Sequence, residues 1–471
     1  MTLFLESLGL LLAYALSWLA AGHAWLTKRD PRSALGWTMA VLFLPGVGPL
    51  FYVLFGISRA ERKAILLLRR SFHGERDYPS PAFELENPAG CLPENGIRME
   101  HPGRNLTGRA LLGGNAIEPL AGGDEAYPAM LEAIATARQR VFLTTYIFNG
   151  GRSGAAFADA LSAAARRNVD VRLLMDGLGQ YYSLSRPWKA CAAHGVRTRL
   201  FLPPALFPPQ IYINLRNHRK LLVCDNVGFT GGMNISDDNC AGAPHPVQDM
   251  HFRCKGPIVE QLARNFLHDW IFVSGETGEL PPWRHEKAGQ SFCRLIMDGP
   301  GNGSDTLNDL FCSVINTATA SIRIMTPYFL PSHDLMASLR SAGQRNVDVR
   351  VILPAKNNLP YVHWATFRLL PSLLEAGVRV WHQPPPFAHT KLLAIDGHYS
   401  QIGSANMDAR SLRLNFELNM EIFDPKFHDR LARHIDATLA RSREVTLKDL
   451  KAMPLPVKLR NAACWIFSPY L

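Results

Sequence analysis

Two short stretches of this chain carry the same reactive pair. His218-Arg219-Lys220-Leu221-Leu222-Val223-Cys224-Asp225 closes with Gly231-Gly232-Met233-Asn234, and His389-Thr390-Lys391-Leu392-Leu393-Ala394-Ile395-Asp396 closes with Gly403-Ser404-Ala405-Asn406. Each apolar run is short and β-prone and ends at a turn signal, Asp225-Asn226 or Asp396-Gly397. Residues two apart on a strand share a face, so each His points the same way as its Lys. A lone H-x-K means little, but a second copy with the same following Asp, Gly and Asn is hard to ascribe to accident. If the two stretches face one another, one imidazole can attack phosphorus, and the resulting phosphohistidine divides one hard displacement into two easier ones. The other can protonate the leaving alkoxide and later deprotonate an incoming alcohol. Lys220, Lys391, Asn234 and Asn406 are then placed to stabilise charge on the non-bridging oxygens. A phosphodiester suits such a site, because its single negative charge meets two lysines. Neither metal nor cofactor is expected, since a Lys two residues from a His is a poor ligand partner.

The elements that must hold these groups repeat as well. Arg167-Asn168-Val169-Asp170-Val171-Arg172 recurs as Arg345-Asn346-Val347-Asp348-Val349-Arg350. Upstream, Val141 to Tyr146 parallels Ile322 to Tyr328; downstream, Gly195-Val196-Arg197 and Gly377-Val378-Arg379 each lead to a Pro-Pro pair. The pattern in each half is strand, helix, strand, helix, strand, then the H-x-K hairpin, which predicts an α/β fold with a mixed or largely parallel sheet. Two such halves are expected to pack as an internal pseudo-dimer. Asp249 and Glu417 stand eight residues before Pro257 and Pro425, so the repeat pairs them and supplies one carboxylate per half to hold an imidazole in the needed tautomer. The halves also differ. The first carries an insertion, Ala205 to Asn217, that is either a lid over the site or an inert surface loop. Its motif is one residue shorter between Asp225 and the closing glycines, so Asn234 is expected to be less securely placed than Asn406.

A chain of 471 residues with 47% hydrophobic content can bury two or more cores. Its formal net charge of +10 favours anionic partners, without separating nucleic acid from acidic lipid. Eight scattered cysteines with no C-x-x-C pair argue against a zinc site or disulfide framework, and for reduced thiols. From Ser7 to Leu26 there is no Asp, Glu, Lys or Arg, a length that can span a hydrocarbon core. Met1 to Glu6 holds no Lys or Arg, which favours an anchor over a cleaved signal peptide. A second uncharged stretch, Ser33 to Ile57, is interrupted by Pro45-Gly46-Val47-Gly48-Pro49 and either spans or re-enters. Arg59, Arg62, Lys63, Arg69 and Arg70 follow it, suiting a cytoplasmic face and anionic head groups. Residues 71 to about 106 show no clear period and read as an irregular lead-in, and the aromatic tail Ala462 to Leu471 suits either a membrane interface or packing on the core.

The doubled H-x-K-D signature resembles the phospholipase D superfamily. Within it, Arg216 to Lys220, Thr326-Pro327-Tyr328-Phe329-Leu330-Pro331, the run from Asn406 to Glu417, and the leader from Gly36-Trp37 through Tyr52-Val53-Leu54-Phe55-Gly56 look like bacterial cardiolipin synthases. The resemblance implies two phospholipase D-like α/β domains in a pseudo-two-fold internal dimer behind an N-terminal transmembrane hairpin. The expected boundaries are 1–58 for the membrane segments, 59–106 for a basic linker, 107–290 and 291–446 for the two domains, and 447–471 for an amphipathic tail. It further implies a multi-pass protein of the bacterial inner membrane with a cytoplasmic body. Two phosphatidylglycerols would give cardiolipin and glycerol, with His218 taking the phosphatidyl group and His389 serving the leaving and entering hydroxyls. Asp225 and Asp396, as members of the signature, join the catalytic set. The runner-up is a phosphodiester hydrolase of the same fold. The two hydrophobic segments direct either reaction to phospholipid and the membrane rather than to nucleic acid.

Overall fold

A computed structural model describes residues 2–28, 31–57, 83–183, 185–204, 215–276, 283, 286–299 and 305–468. It divides into two compact units, Met1–Ala64 and Ile65–Leu471. The basic cluster from Arg59 to Arg70 and residues 205–214 of the insertion lie outside the described residues.

In the first unit, Thr2–Thr27 is one helix, and its segment Glu6–Thr27 is long and apolar enough to cross a membrane. The second stretch differs from a spanning helix. Helix Pro31–Phe43 stops, Gly46 turns the chain at φ 88°, and a shorter helical segment, Val47–Gly56, follows. At 1.5 Å per residue its pieces reach about 20 and 15 Å, short of a core of about 30 Å. The stretch runs out and back along the first helix. Trp25 Nε1 donates to Thr38 Oγ1 at 2.8 Å, a Cβ on Gly46 would lie 3.9 Å from Ala13, and on the return His23 Nδ1 shares a 2.8 Å hydrogen bond with the Tyr52 hydroxyl. Lys28 Nζ then donates to the carbonyl of Gly56 at 2.5 Å, so the stretch ends at the level where it began.

In the second unit, fifteen strands among the described residues form one sheet. Arg140–Thr145, Asp170–Asp176 and Arg197–Phe201 are parallel neighbours in the first half, as are Ser321–Met325, Asp348–Pro354 and Arg379–Gln383 in the second. Arg140–Thr145 is buried throughout, as expected for a strand covered on both faces. Four antiparallel strands extend each trio inward: Leu221–Cys224, Val227–Gly231, Met250–Lys255 and Leu112–Ala121 in the first half, and Leu392–Ile395, Tyr399–Gly403, Glu417–Phe423 and Ser291–Asp298 in the second. The halves join where Leu112 lies opposite Cys293 and Asn115 opposite Ser291. The strand order on one side of this seam mirrors the other, apart from a fifteenth strand, Arg443–Val445, on the outer edge of Arg379–Gln383, so the pseudo-two-fold runs through the seam. The repeated Arg-Asn string serves one structural task twice. Asn168 and Asn346 both take φ 63° after a helix, while Arg167 donates to the carbonyls of Ile134 and Ala137, and Arg345 to those of Ile315 and Ala318.

The lead-in to residue 106 is not irregular throughout. Glu94–Thr107 is a helix, started after Pro93 and ended by left-handed Gly108. Gly96, Pro102 and Gly103 mask its period in the sequence, yet both glycines serve packing: a Cβ on Gly96 would lie 3.1 Å from Pro93 and 3.2 Å from His398. Arg294 donates from Nη1 to Glu100 at 3.0 Å and from Nε to Glu421 at 2.7 Å, with all three side chains buried, and a Cβ on Gly103 would lie 2.1 Å from its Nη2. The tail packs back on the body. Cys464 and Trp465 of helix Leu455–Ile466 rest on the cluster Leu330, Val362 and Ala365, while Ile466 and Phe467 stay exposed.

Candidate active site

The run after each His forms the first strand of a hairpin. Leu221–Cys224 pairs with Val227–Gly231 through a two-residue turn, and Leu392–Ile395 with Tyr399–Gly403 through a three-residue turn. The length difference between the motifs is therefore confined to the turn. By the closing glycines the register has recovered, with Gly231 opposite His251 and Gly403 opposite Asn419. Beyond them Ile235 bridges Phe148 just as Met407 pairs with Phe329, so Asn234 and Asn406 occupy equivalent places. Asn234 Oδ1 accepts from Ile147 N–H at 3.1 Å, and its side chain lines a small cavity with Lys220, Thr145 and His251. Asn406 uses one amide N–H on Ser411 Oγ at 3.0 Å.

Asp225 and Asp396 stand at the opposite end of the strands from the histidines. Asp225 accepts backbone N–H bonds from Arg138, Gln139 and Arg140 at 2.7, 3.0 and 2.9 Å. Asp396 accepts from Thr319, Ala320 and Ser321 at 2.7, 2.9 and 2.8 Å, and from the Asn95 side chain at 2.5 Å. Five residues of extended chain from each Lys amount to about 17 Å, so these acids fasten the turn to the neighbouring strand instead of joining the chemistry. The H-x-K-D signature thus sets its His-Lys pair at one end of a strand and its turn-fastening Asp at the other.

The two histidines are held by the opposite halves. His218 N–H donates to the carbonyl of Phe416 at 3.0 Å, and Phe416 N–H returns to the carbonyl of Arg216 at 2.9 Å. In the second motif, His389 N–H donates to the carbonyl of Gln248 at 2.7 Å, where Phe387–Ala388 runs parallel to Val247–Gln248. Phe416 and Gln248 immediately precede Glu417 and Asp249, so each bridge delivers a His to a carboxylate across the two-fold. His218 Nδ1 lies 3.1 Å from the Glu417 carboxylate, and His389 Nδ1 lies 2.9 Å from Asp249 Oδ2. Engaging Nδ1 fixes the tautomer and leaves Nε2 with its lone pair. Glu417 also accepts from Ser404 Oγ at 2.5 Å, and Asp249 from Met250 N–H at 2.7 Å. The position matching Ser404 is Gly232, where a Cβ would lie 2.5 Å from Asp249 Oδ2; this is why the closing sequences differ.

Alternation along the strand puts Lys220 and Lys391 on the face of their histidines, each Nζ donating to its own His carbonyl, at 2.6 and 2.5 Å. Arg219 points the other way and clamps the halves. Its guanidinium donates to Asp269 at 2.6 Å and to the carbonyls of Glu417 and Asp298, both at 3.1 Å. Buried Asp176 accepts from Arg216 Nη1 at 3.2 Å and from Asn217 N–H at 2.9 Å, seating the approach to the first motif. Sequence reasoning assigned no role to Arg219, Asp176 or Ser404. The signal for Arg219 was its place between two residues of fixed orientation, while Asp176 and Ser404 carried none.

Burial lowers the His218 pKa, with Glu417 opposing and Lys220 and Lys391 adding to the effect. Burial, then Lys391, lowers His389 to about 4 against Asp249 and with help from Lys220. Lys391 is brought down to about 8 by burial, and Lys220 well below its ordinary value, both opposed by Asp249 and Glu417. Burial raises Glu417, yet His218, Lys220 and Ser404 together hold it below the usual carboxylate range. These cross-half influences mean that all six groups share one centre. A phosphodiester anion entering this centre favours an imidazolium beside it.

A tyrosine ring lies against each histidine, from positions the two halves do not share. The Tyr146 ring meets His218 edge-on at 5.6 Å and Tyr328 meets His389 at 6.2 Å. Tyr182 lies 5.8 Å from Tyr146. Burial raises the Tyr328 phenol, opposed by its bond to Asn358 and reinforced by Asp408, Tyr361 and Tyr182. Asp408, raised to about 6 by burial, caps the short helix Ala409–Arg413 beside Lys391.

Comparison with known proteins identifies the family. The family described as cardiolipin synthase, PLD-like domain, matches residues 130–270 and 311–439, and the phospholipase D-nuclease N-terminal family matches residues 15–56. The chain is 30% identical to cardiolipin synthase A of Pseudomonas aeruginosa over 477 residues, covering 98% of this chain and 96% of that one. It is 28% identical to the major cardiolipin synthase ClsA of Bacillus subtilis, covering 94% and 95%. The phosphatidylserine synthase structure from Haemophilus influenzae superposes with a TM-score of 0.61 at 16% identity, over 79% of this chain and all of that one, which supports the fold. By sequence, fold and the doubled histidine centre, the chain belongs to the bacterial cardiolipin synthases of the phospholipase D superfamily.

Proposed function

We propose that the protein transfers a phosphatidyl group from one phosphatidylglycerol to another, releasing glycerol and forming cardiolipin through a phosphohistidine. The observation that carries this is the exchange of carboxylates across the two-fold, which orients both Nε2 atoms beside two buried lysines. His218 Nε2 attacks phosphorus while His389 delivers a proton to the departing glycerol oxygen. His389 then takes the proton of the second lipid's hydroxyl, whose oxygen displaces His218. Lys220 and Lys391 stabilise the charge on the non-bridging oxygens. One phosphodiester replaces another, so no nucleotide is consumed.

The protein acts as a membrane enzyme with one crossing, Glu6–Thr27, followed by a re-entrant segment. The contact between Lys28 and Gly56 supports this, because it returns the chain to the side it had reached. In the sequence, Lys28, Arg29 and Arg32 precede this segment and the run from Arg59 to Arg70 follows it, a charge pattern that marks the cytoplasmic side.

The test supplies the purified enzyme with labelled phosphatidylglycerol. Equimolar cardiolipin and glycerol are expected, and His218→Ala or His389→Ala should abolish both. Phosphatidic acid as the sole lipid product would replace this reading with a hydrolase.

A further inference from the structure

The large apolar side chains exposed on the second unit are confined to two groups. Among its described residues, they are Tyr181, Tyr182 and Tyr361, together with Leu455, Leu459, Ile466 and Phe467 on or just beyond the C-terminal helix. Leu455, Leu459 and Ile466 are 67%, 61% and 66% exposed. At helical spacing these three fall on one stripe, which Ala463 continues, while Cys464 and Trp465 face the body. Lys458 and Arg460 flank the stripe on either side. Exposed apolar area of this kind is unusual on a monomer unless something covers it.

Both groups are tied to the reacting centre. Tyr182 touches Tyr146, whose ring lies against His218. Tyr361 belongs to helix Pro360–Thr366, which packs along the C-terminal helix and is fastened by Thr366 Oγ1 to the carbonyl of Phe329, next to the Tyr328 that faces His389. The C-terminal helix is clamped to the same place by Arg460 over Trp364 at 4.1 Å and Arg368 over Trp465 at 5.7 Å. An apolar stripe with a cationic border and neighbouring tyrosine hydroxyls matches the layered chemistry of a bilayer surface, apolar below and anionic at the head groups.

We propose that the C-terminal helix Leu455–Ile466 and the tyrosines Tyr181, Tyr182 and Tyr361 form a docking rim that lays the opening of the catalytic centre on an anionic phospholipid bilayer. The proposal rests on the phosphatidyl-transfer reading above. Its physical role follows from the substrate: two acyl chains remain in the hydrocarbon while only the head group must reach His218 and His389. Burying three exposed aliphatic side chains stabilises such docking and removes the need to extract the lipid.

The test uses the full-length protein carrying Leu455→Glu, Leu459→Glu and Ile466→Glu together, beside the parent. Cardiolipin formation is measured on phosphatidylglycerol vesicles and on short-chain phosphatidylglycerol below its micelle concentration. The expected result is at least a tenfold loss on vesicles with less than a twofold change on the dispersed lipid. In parallel, a phospholipid bearing a photoactivatable group on its acyl chain should label the peptide spanning 455–467 in the parent and not in the variant. Equal loss on both substrates, unchanged vesicle activity, or absence of labelling in the parent overturns the docking rim. A parent that makes no cardiolipin from either substrate defeats the catalytic reading instead, and the photolabelling then decides the rim by itself.

Discussion

On the phosphatidyl-transfer reading, the groups of this site are balanced so that binding the substrate anion draws a proton from solvent. His389, at about 4, is neutral across the physiological range, and His218 is also held low, so the free enzyme has no imidazolium ready to protonate glycerol at pH 7. A phosphodiester anion beside both rings favours the charged form and raises their pKa. Binding a phosphonate analogue of phosphatidylglycerol should therefore take up close to one proton at pH 7, read by calorimetry in two buffers of different ionisation enthalpy. The sign is fixed: affinity should strengthen as pH falls, approaching tenfold per unit between the free and bound pKa values, and proton release would contradict the scheme. Alkaline loss has a separate origin. As pH passes about 8, Lys391 sheds its charge, and kcat/KM should fall with it. The same depressed value means that the folded state binds fewer protons than the unfolded state between about pH 8 and 10.5, so this lysine opposes folding below that window. Lys391→Met should abolish turnover without lowering the melting temperature. Asp249→Asn should reduce kcat by about 10²–10⁴ by releasing the His389 tautomer, with KM little changed.

At the scale of elements, two segments took on forms their composition left open. The second hydrophobic stretch is too short in each of its pieces to cross, and its return is fastened by His23 to Tyr52 and Lys28 to Gly56. A single crossing places the amino terminus and the catalytic body on opposite sides of the membrane, whereas two crossings place them together. Tags at Met1 and after Ser468, probed with membrane-impermeant protease in intact cells and in inverted vesicles, should report opposite sides. The helix Glu94–Thr107 was hidden because its glycines and proline break the pattern that marks amphipathic helices. The reason for Gly103 lies across the sheet in Arg294, a partner 191 positions along the chain that no local window contains.

At the scale of the whole molecule, the continuous sheet and the exchanged contacts make the halves interdependent. Arg294, buried between Glu100 and Glu421, ties the lead-in helix to the second half, and Arg219 ties the first motif to the strand bearing Glu417. The second unit should therefore unfold in one calorimetric transition. Arg294→Met should lower its stability by about 3–5 kcal/mol, because two buried carboxylates lose their partner. Two separated transitions in the parent would refute this coupling.

The sequence by itself determined the repeat, the four basic residues and the carboxylate pair, since each reflects local spacing: strand alternation sets His beside Lys, and the repeated prolines align Asp249 with Glu417. It also marked the two hydrophobic stretches and the break at Pro45-Gly46. Only the tertiary structure decided which carboxylate serves which histidine. Pairing depends on where Phe416 and Gln248 cross the two-fold, and that placement is made by sheet contacts between residues up to 199 positions apart. It likewise divided the H-x-K-D signature, because Asp225 and Asp396 reveal their role only through the backbone amides of a neighbouring strand. Local pattern fixes which side chains share a face, whereas the partner each one meets is set by the packing of distant chain.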